Sequence, residues 1–566
     1  MAEFEERADQ LSTEEIDKQL AAGQIFQRAQ RKLLAPGAKL LVGPRGTGKT
    51  HLMRHTYQHA IREVSEPLVL YATFNRYLNL EPLLNKSPDA LKRFHSWVLA
   101  KLLLSCFDLV LLHGDSPEGL SELSPQMNSA KLAELVSLLE RGSGSEIYES
   151  FGQYLTVADV ISAVRGLCKR YKRSRAVLLL DDAALSLTEH YLVAFFEVYR
   201  LLKTEDIAPK ASVYPGSTQY GPTFHASHEV EEIPLWLSVE DSEYLSIMGD
   251  IGTRRLSAED VSRINSDILD LLKYCAFGVP RVYLRMLREY LDQPGSTAQQ
   301  RINKIIEHQT ELIQAEYDSL GMKLPQFGSL VAVGRRFFEK SVLAVALSQI
   351  QGDGGDGSGT RNIVLGVRQD SDRNPLVERM IKFLVEVGML YPLQAVSHGP
   401  NRKYDRFIPH VAFLQQQGLF REGRGSSVKD VAAYMRRPPA KHPIRRELVT
   451  LLSKDELGGL KLDLPSCQRC GATRINESQR FCHNCGAELV AASLFEQCMK
   501  LPLKQVPGIS AAILKRIHDD TRIRTIGHVL ASQNASLDLQ QASYVGPVRA
   551  DGIIRKVAIT VEEFMS

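Results

Sequence analysis

Residues 43–50 read Gly-Pro-Arg-Gly-Thr-Gly-Lys-Thr, which satisfies G-x-x-x-x-G-K-[ST] in full, a spacing whose chemistry is the holding of phosphate. Gly43, Gly46 and Gly48 let the backbone curl until its amides face one point, and a helix beginning near Lys49 adds its positive end to that nest. Pro44, Arg45 and Thr47 complete the loop. Lys49 is placed to reach the β- and γ-phosphates of ATP and Thr50 to ligate Mg2+ through its hydroxyl, and His51 completes the expected nucleotide-binding set 43–51. A second apolar run, Val177-Leu178-Leu179-Leu180-Asp181-Asp182, supplies the acid such a site needs. Asp181 is assigned to Mg2+ through water. Asp182 either polarises the attacking water or only caps the next helix. It stands where a glutamate is usual and is one methylene shorter, so slow or partner-gated hydrolysis is expected. Ser217 and Thr218 close the run KASVYPGST and are candidates to hydrogen-bond the γ-phosphate or water, although turn chemistry explains them equally. Arg281, at the start of GVPRVYLRMLREYL, is a candidate to fold over the same phosphate, or else a solvated surface arginine.

A second constellation is Cys467-x2-Cys470-x11-Cys482-x2-Cys485, the spacing of a structural Zn2+ site with four thiolates in a tetrahedron. Gly471 and Gly486 follow the second cysteine of each pair, as a tight turn aiming two sulfurs at one ion requires. Four thiolates leave no open position for catalysis. The segment is too short to bury a core, so the metal must supply its folding energy. The other cysteines, Cys106, Cys168, Cys275 and Cys498, are scattered and read as buried reduced thiols, which sets a reducing cytoplasm as the expected compartment.

The elements that must position these groups are legible as alternating patterns. After a charged helical segment (1–30), KLLVG, PLVLYATFN, RAVLLLDDA, KASVYPGST and EVEEIPLWL are five buried strands separated by helices, which implies a parallel α/β sheet over 31–240 with a helical insertion at about 80–170. Residues 241–322 turn wholly helical and read as a lid. Two helices and then a β-hairpin with its turn near Gly399-Pro400-Asn401 make 323–420 a winged helix-turn-helix. Residues 421–446 carry eight lysines and arginines against two acids, with Pro438-Pro439 and Pro443, so 421–462 is expected to be a basic linker. The metal segment occupies 463–490. Residues 491–566 contain LKQVPGISAAILKRI and a degenerate copy, SYVGPVRADGIIRKV, similar to paired helix-hairpin-helix elements.

GPRGTGKT, VLLLDD and GVPR resemble the Walker A, Walker B and sensor-2 motifs of the AAA+ ATPases, in particular the clade of replication initiators and transposon ATPase regulators. The resemblance covers about 20–320 and extends to the winged unit behind the lid. It implies Mg-ATP hydrolysis and assembly into a homo-oligomer. The long separation of Lys49 from Asp181 departs from the compact family core and implies the helical insertion. No arginine falls between Arg200 and Arg254, where a trans-acting finger is often found, which leaves Arg254 and Arg255 as substitutes.

Composition is that of an ordinary globular protein, with 44% hydrophobic and 24% charged residues, and no apolar run is expected to span a membrane. Net charge is +3 over 566 residues, so any nucleic-acid site must be a local patch. Such patches are Arg402, Lys403 and Arg406 on the hairpin, Arg379 and Lys382 on the helix before it, and Lys515, Arg516, Arg549, Arg555 and Lys556 on the terminal helices. Both modules serve equally as protein-docking surfaces. The expectation is a DNA-associated ATPase that recruits an effector protein in prokaryotic defence, transposition or replication. The alternative is an ATP-dependent switch that docks a protein partner and never touches DNA.

Overall fold

In the computed structural model, the described residues are 8, 10–74, 80, 88–115, 128–141, 145–182, 189–215, 218, 220, 224, 229–292, 297–353, 359–369, 374–397, 399, 402–418, 427–441, 444–467, 469–475, 479, 481–487, 489, 498–530, 532 and 534–565. The five apolar runs become β1 (Lys39–Val42), β2 (Leu68–Thr73), β3 (Ala176–Asp181), β4 (Ile207–Val213) and β5 (Glu231–Pro234). They form one parallel sheet in the order β2-β3-β4-β1-β5. β3 and β4 are buried along their whole length; β3 reads accordingly as an apolar run, while β4 buries Lys210 and Ser212 among its apolar residues. Because the sheet is parallel, β1, β3 and β4 end on the same edge. β4 lies between the other two.

Ahead of the sheet run α1 (Thr13–Gln19), started by a Ser12/Glu15 capping box, and α2 (Gln24–Leu34); α3 (Lys49–Arg62) follows β1. The expected insertion lies between β2 and β3 as α4 (Ala90–Leu112), α5 (Ser129–Leu139), α6 (Ser145–Ser150) and α7 (Val157–Arg170). α4 corrects one expectation: at 23 residues it is long and apolar enough, by length and composition, to cross a membrane. Of its most apolar stretch, however, 67% is buried inside this protein, against β2, α5, α7 and α8 (Glu189–Leu202), so its greasy surface is consumed as core. Phe94 stacks on Tyr191 with ring centres 4.5 Å apart, and the Trp97 indole donates to Glu140 at 3.2 Å.

The helical region expected to be a lid consists of α9 (Tyr244–Thr253), α10 (Ala258–Ser262), α11 (Ser266–Ala276), α12 (Pro280–Leu291) and α13 (Ala298–Lys323). Behind it come α14 (Gly328–Arg336), α15 (Leu343–Asp353), α16 (Pro375–Glu386) and α17 (Val411–Gln416), with the hairpin β7 (Leu390–Ser397) and β8 (Lys403–Pro409). The hairpin is not a free wing. β6 (Leu365–Arg368) pairs antiparallel with β8, and β9 (Ile444–Arg446) adds in parallel beyond it, giving a four-stranded sheet.

That last strand belongs to the segment expected to be a basic linker, and here the structure corrects the sequence reading. Residues 427–436 form a capped helix, α18 (Val428–Arg436), which buries Val428, Val431, Ala432, Tyr434 and Met435 against α11. Arg436 meets Asp267 and Asp270 of α11, each at 2.7 Å. The positive charge that suggested a linker is therefore partly neutralised by the lid's acids. α19 (Leu448–Leu451) and α20 (Lys454–Gly459) complete the stretch. After the cysteine segment, α21 (Ala511–Asp520), α22 (Ile526–Leu530), α23 (Ala535–Gln540) and α24 (Pro547–Met565) form the terminal module, whose apolar interior is continuous with that of the sheet.

Candidate nucleotide and metal sites

Between β1 and α3 the chain makes the glycine turn that the motif requires. Gly46 and Gly48 take φ of +86° and +93°, left-handed values that a side chain resists. Gly43 is fixed by space: a Cβ there would lie 2.5 Å from the Leu235 carbonyl oxygen, at the exit of β5. The Thr47 hydroxyl closes the turn on the Pro44 carbonyl at 3.0 Å. Lys49 is folded into the loop, donating to the carbonyls of Gly43 (2.6 Å) and Pro44 (3.0 Å) with its ammonium 4.2 Å from the Tyr214 ring centre. Burial pushes its pKa down to about 7; Asp182 and then Asp181 pull the other way, while Arg281 and Arg45 add to the fall. Three cations gathered at one glycine turn repel each other, and a polyanion is what relieves them. Thr50 sits partly exposed in the first turn of α3. His51 turns its ring from the loop. Its Nε2 lies 2.8 Å from the Ile16 carbonyl oxygen of α1, and burial lowers its pKa to about 4, so it is neutral and donates there.

Opposite the loop, β3 delivers Asp181 fully buried. Its Oδ2 accepts from the Tyr71 hydroxyl at 2.8 Å; its Oδ1 accepts from Ser212 at 2.9 Å and from the Asp182 amide at 3.0 Å. A carboxylate offers about four lone-pair positions, so one on Oδ2 is left for a metal-bound water. The Asp182 backbone is left-handed, φ +52°, and its amide is also held by Ser212 Oγ at 2.8 Å. The helix-cap alternative for Asp182 concerns 183–188, outside the described residues. Asp181→Ala strips the acceptor from the Tyr71 and Ser212 hydroxyls, each worth ~1–3 kcal/mol when left buried and unpaired. We expect a lowered melting temperature together with loss of Mg-dependent turnover, checked by calorimetry and phosphate release; full turnover in the variant contradicts the assignment.

β4 contributes Ser212 to the acid and Tyr214 to the lysine, neither singled out from sequence. The only signal was their place at the end of the central strand. The Thr218 hydroxyl donates to the Tyr214 carbonyl at 3.0 Å, as turn chemistry allows. Ser217 lies outside the described residues.

Arg281 does arrive. Its amide points to the Gly46 carbonyl at 3.4 Å, and a Cβ on Gly46 would lie 3.0 Å from its own Cβ, so the lid helix α12 starts on the loop itself. Trp236, one residue past Leu235, fixes that approach. Its indole donates to the Phe277 carbonyl at 2.8 Å, next to Gly278, where a Cβ would be 1.9 Å from the Leu237 carbonyl oxygen. On its other side Tyr391 of β7 donates to the Trp236 carbonyl at 3.0 Å, with ring centres 4.5 Å apart. Arg254, a substitute finger by sequence, is bonded to Asp250 (2.8 Å) and the Lys18 carbonyl (3.0 Å) of its own chain.

The four cysteines come together, with their sulfurs within 4.8 Å of one another. Cys467 and Cys485 Sγ are 3.6 Å apart, Cys470 and Cys482 3.5 Å, close to the edge of a tetrahedron with metal–sulfur bonds of ~2.3 Å. The knuckles are twins. The amides of Cys467 and Cys482 donate to the carbonyls of Ala472 and Ala487, with Gly471 and Gly486 at φ +70° and +66°. The donor set fits zinc.

The basic candidates are largely engaged. Arg379 lies 4.1 Å over the Phe327 ring, Lys382 pairs with Glu378 at 3.1 Å, and Arg406 donates to the Gln394 carbonyl across the hairpin at 2.8 Å. Arg402 and Lys403 remain exposed at its tip.

No family model matches this chain, and no curated protein matches it. Among solved structures, a chain from the structure of the Aeropyrum pernix Orc1 protein in complex with DNA aligns over 69% of this chain and 90% of its own length. Identity is 12% and the TM-score 0.26, a likeness too slight to carry an argument.

Proposed function

We propose that this chain is a DNA-associated AAA+ ATPase whose nucleotide state governs assembly on DNA and recruitment of an effector. The observation that carries the reading is convergence at one turn: Arg281 of the lid and the Lys49 ammonium meet at Gly43–Gly46, while Asp181 and Asp182 face Lys49 across the end of β4. Amides 46–50 and Lys49 would hold the triphosphate, and Thr50 with Asp181 the magnesium, whose charge polarises the γ-phosphate when bound. Asp182 is then the residue that orients water, and Arg281 the one that reports the γ-phosphate to the lid. Cytoplasmic location, a homo-oligomer and a role in prokaryotic defence, transposition or replication belong to the same proposal.

The second reading, a switch that docks protein without DNA, draws on the engagement of Arg379, Lys382 and Arg406 within the chain. Titrating the protein into labelled duplex with ATP and with ADP, at two salt concentrations, separates the two. Binding that depends on nucleotide and weakens with salt supports the first; a flat signal throughout leaves the second.

A further inference from the structure

The turn between α23 and α24 carries a residue that its backbone disfavours. Tyr544 has φ +66°, left-handed, where glycine or asparagine rests at lower cost than an aromatic. Nothing buries the ring in return: Tyr544 is 74% exposed. The turn is nonetheless firmly held. The Arg549 guanidinium donates to the Tyr544 carbonyl at 2.7 Å, the Ser543 amide to Asp520 at 2.7 Å, and the Val545 amide to the Ala542 carbonyl at 3.0 Å, with Val545 buried. A strained, exposed aromatic in an over-determined turn is kept for what its face can meet. One face is already covered by the Arg516 guanidinium, 4.2 Å from the ring centre.

We infer that Tyr544 is a stacking platform for an unpaired DNA base, with Arg516 and Arg549 supplying positive charge to the adjoining phosphates. A base inside a duplex has both faces occupied by its neighbours, so an isolated protein ring selects a gap, flap or melted segment. Charge favours nucleic acid over a protein occupant: residues 498–566 carry nine Lys/Arg against six Asp/Glu, and the guanidinium groups of Arg516 and Arg549 both lie against Tyr544. At Gly546, just beyond, a Cβ would meet nothing within 4 Å, so a strand has room to approach. This site rests on the DNA reading above and names which form of DNA it selects.

The test is fluorescence anisotropy of the full-length, zinc-loaded protein with a blunt duplex and with the same duplex carrying a short single-stranded gap. The wild type binds the gapped form roughly five- to a hundredfold more tightly. Tyr544→Asn abolishes that preference, leaves duplex affinity and DNA-free ATP turnover unchanged, and melts no lower than wild type because asparagine suits the turn. Tyr544→Phe retains the preference. Equal wild-type affinity for both forms overturns the inference, as does an Asn variant that keeps the preference or melts well below wild type. If neither DNA is bound while ATP is still hydrolysed, the DNA reading itself falls.

Discussion

Lys49→Ala lowers ATP turnover by about a hundredfold or more, the scale on which removal of one preorganised charge from a reacting site is felt. The same variant loses the thermal stabilisation that nucleotide gives the wild type, ~2.7 kcal/mol at a hundredfold excess over Kd. It should not be less stable than wild type without nucleotide, because the ammonium it removes is buried at a cost. Lys49 also sets a pH dependence. In the free loop its pKa is about 7, and against a triphosphate the protonated form is favoured, so binding takes up a proton above pH 7. Affinity is therefore full below pH 7 and falls as pH rises toward 9, by up to about tenfold per unit. Calorimetric titration at fixed Mg2+ reads this directly. A flat profile would mean the lysine is charged before nucleotide arrives.

Removing metal should unfold the knuckle segment outright. Among the described residues of 463–490 the buried side chains are Cys467 and Cys482, so no apolar core remains once the thiolates lose their ion. Zinc of this kind contributes on the order of 10 kcal/mol to such a segment, far beyond what its few turns supply. One zinc per chain is expected by elemental analysis. Cys470→Ser or a strong chelator should open the segment to protease and to thiol reagents while the sheet domain melts as before. Protein prepared without chelator that contains no zinc, yet resists cleavage there, rules the site out.

The parts of these sites that were legible share one property: their geometry is local. Six residues of loop between β1 and α3, or two cysteines around a tight turn, encode their shape in spacing alone. Tyr71, Ser212 and Tyr214 were not found, because they reach the site from β2 and from the end of β4, and strand order is not written in any single stretch. The run KASVYPGST puts the start of β4 at Lys210; the strand starts at Ile207 and runs through Pro209, whose carbonyl accepts from Tyr199 at 3.1 Å. α18 and β9 are hidden by their arginines, whose partners lie on other elements: Asp267 and Asp270 of α11 for Arg436, and the Tyr404 ring of β8, 5.8 Å away, for Arg445. α4 lies within the expected helical insertion, but its enclosure is not written in its own residues. A helix apolar on nearly every side has no stripe to show that neighbours will enclose it.

Leu235, Trp236 and Tyr391 make the phosphate loop and the β7–β8 hairpin two ends of one stiff lever. The Leu235 carbonyl leaves no room for a Cβ on Gly43, the next residue carries Tyr391, and the same indole holds the turn that leads into α12. Close-packed contacts of this kind do not absorb a displacement; they pass it on. An occupant of either end that shifts the lever therefore alters the other end's affinity, and by reciprocity the factor is the same in both directions.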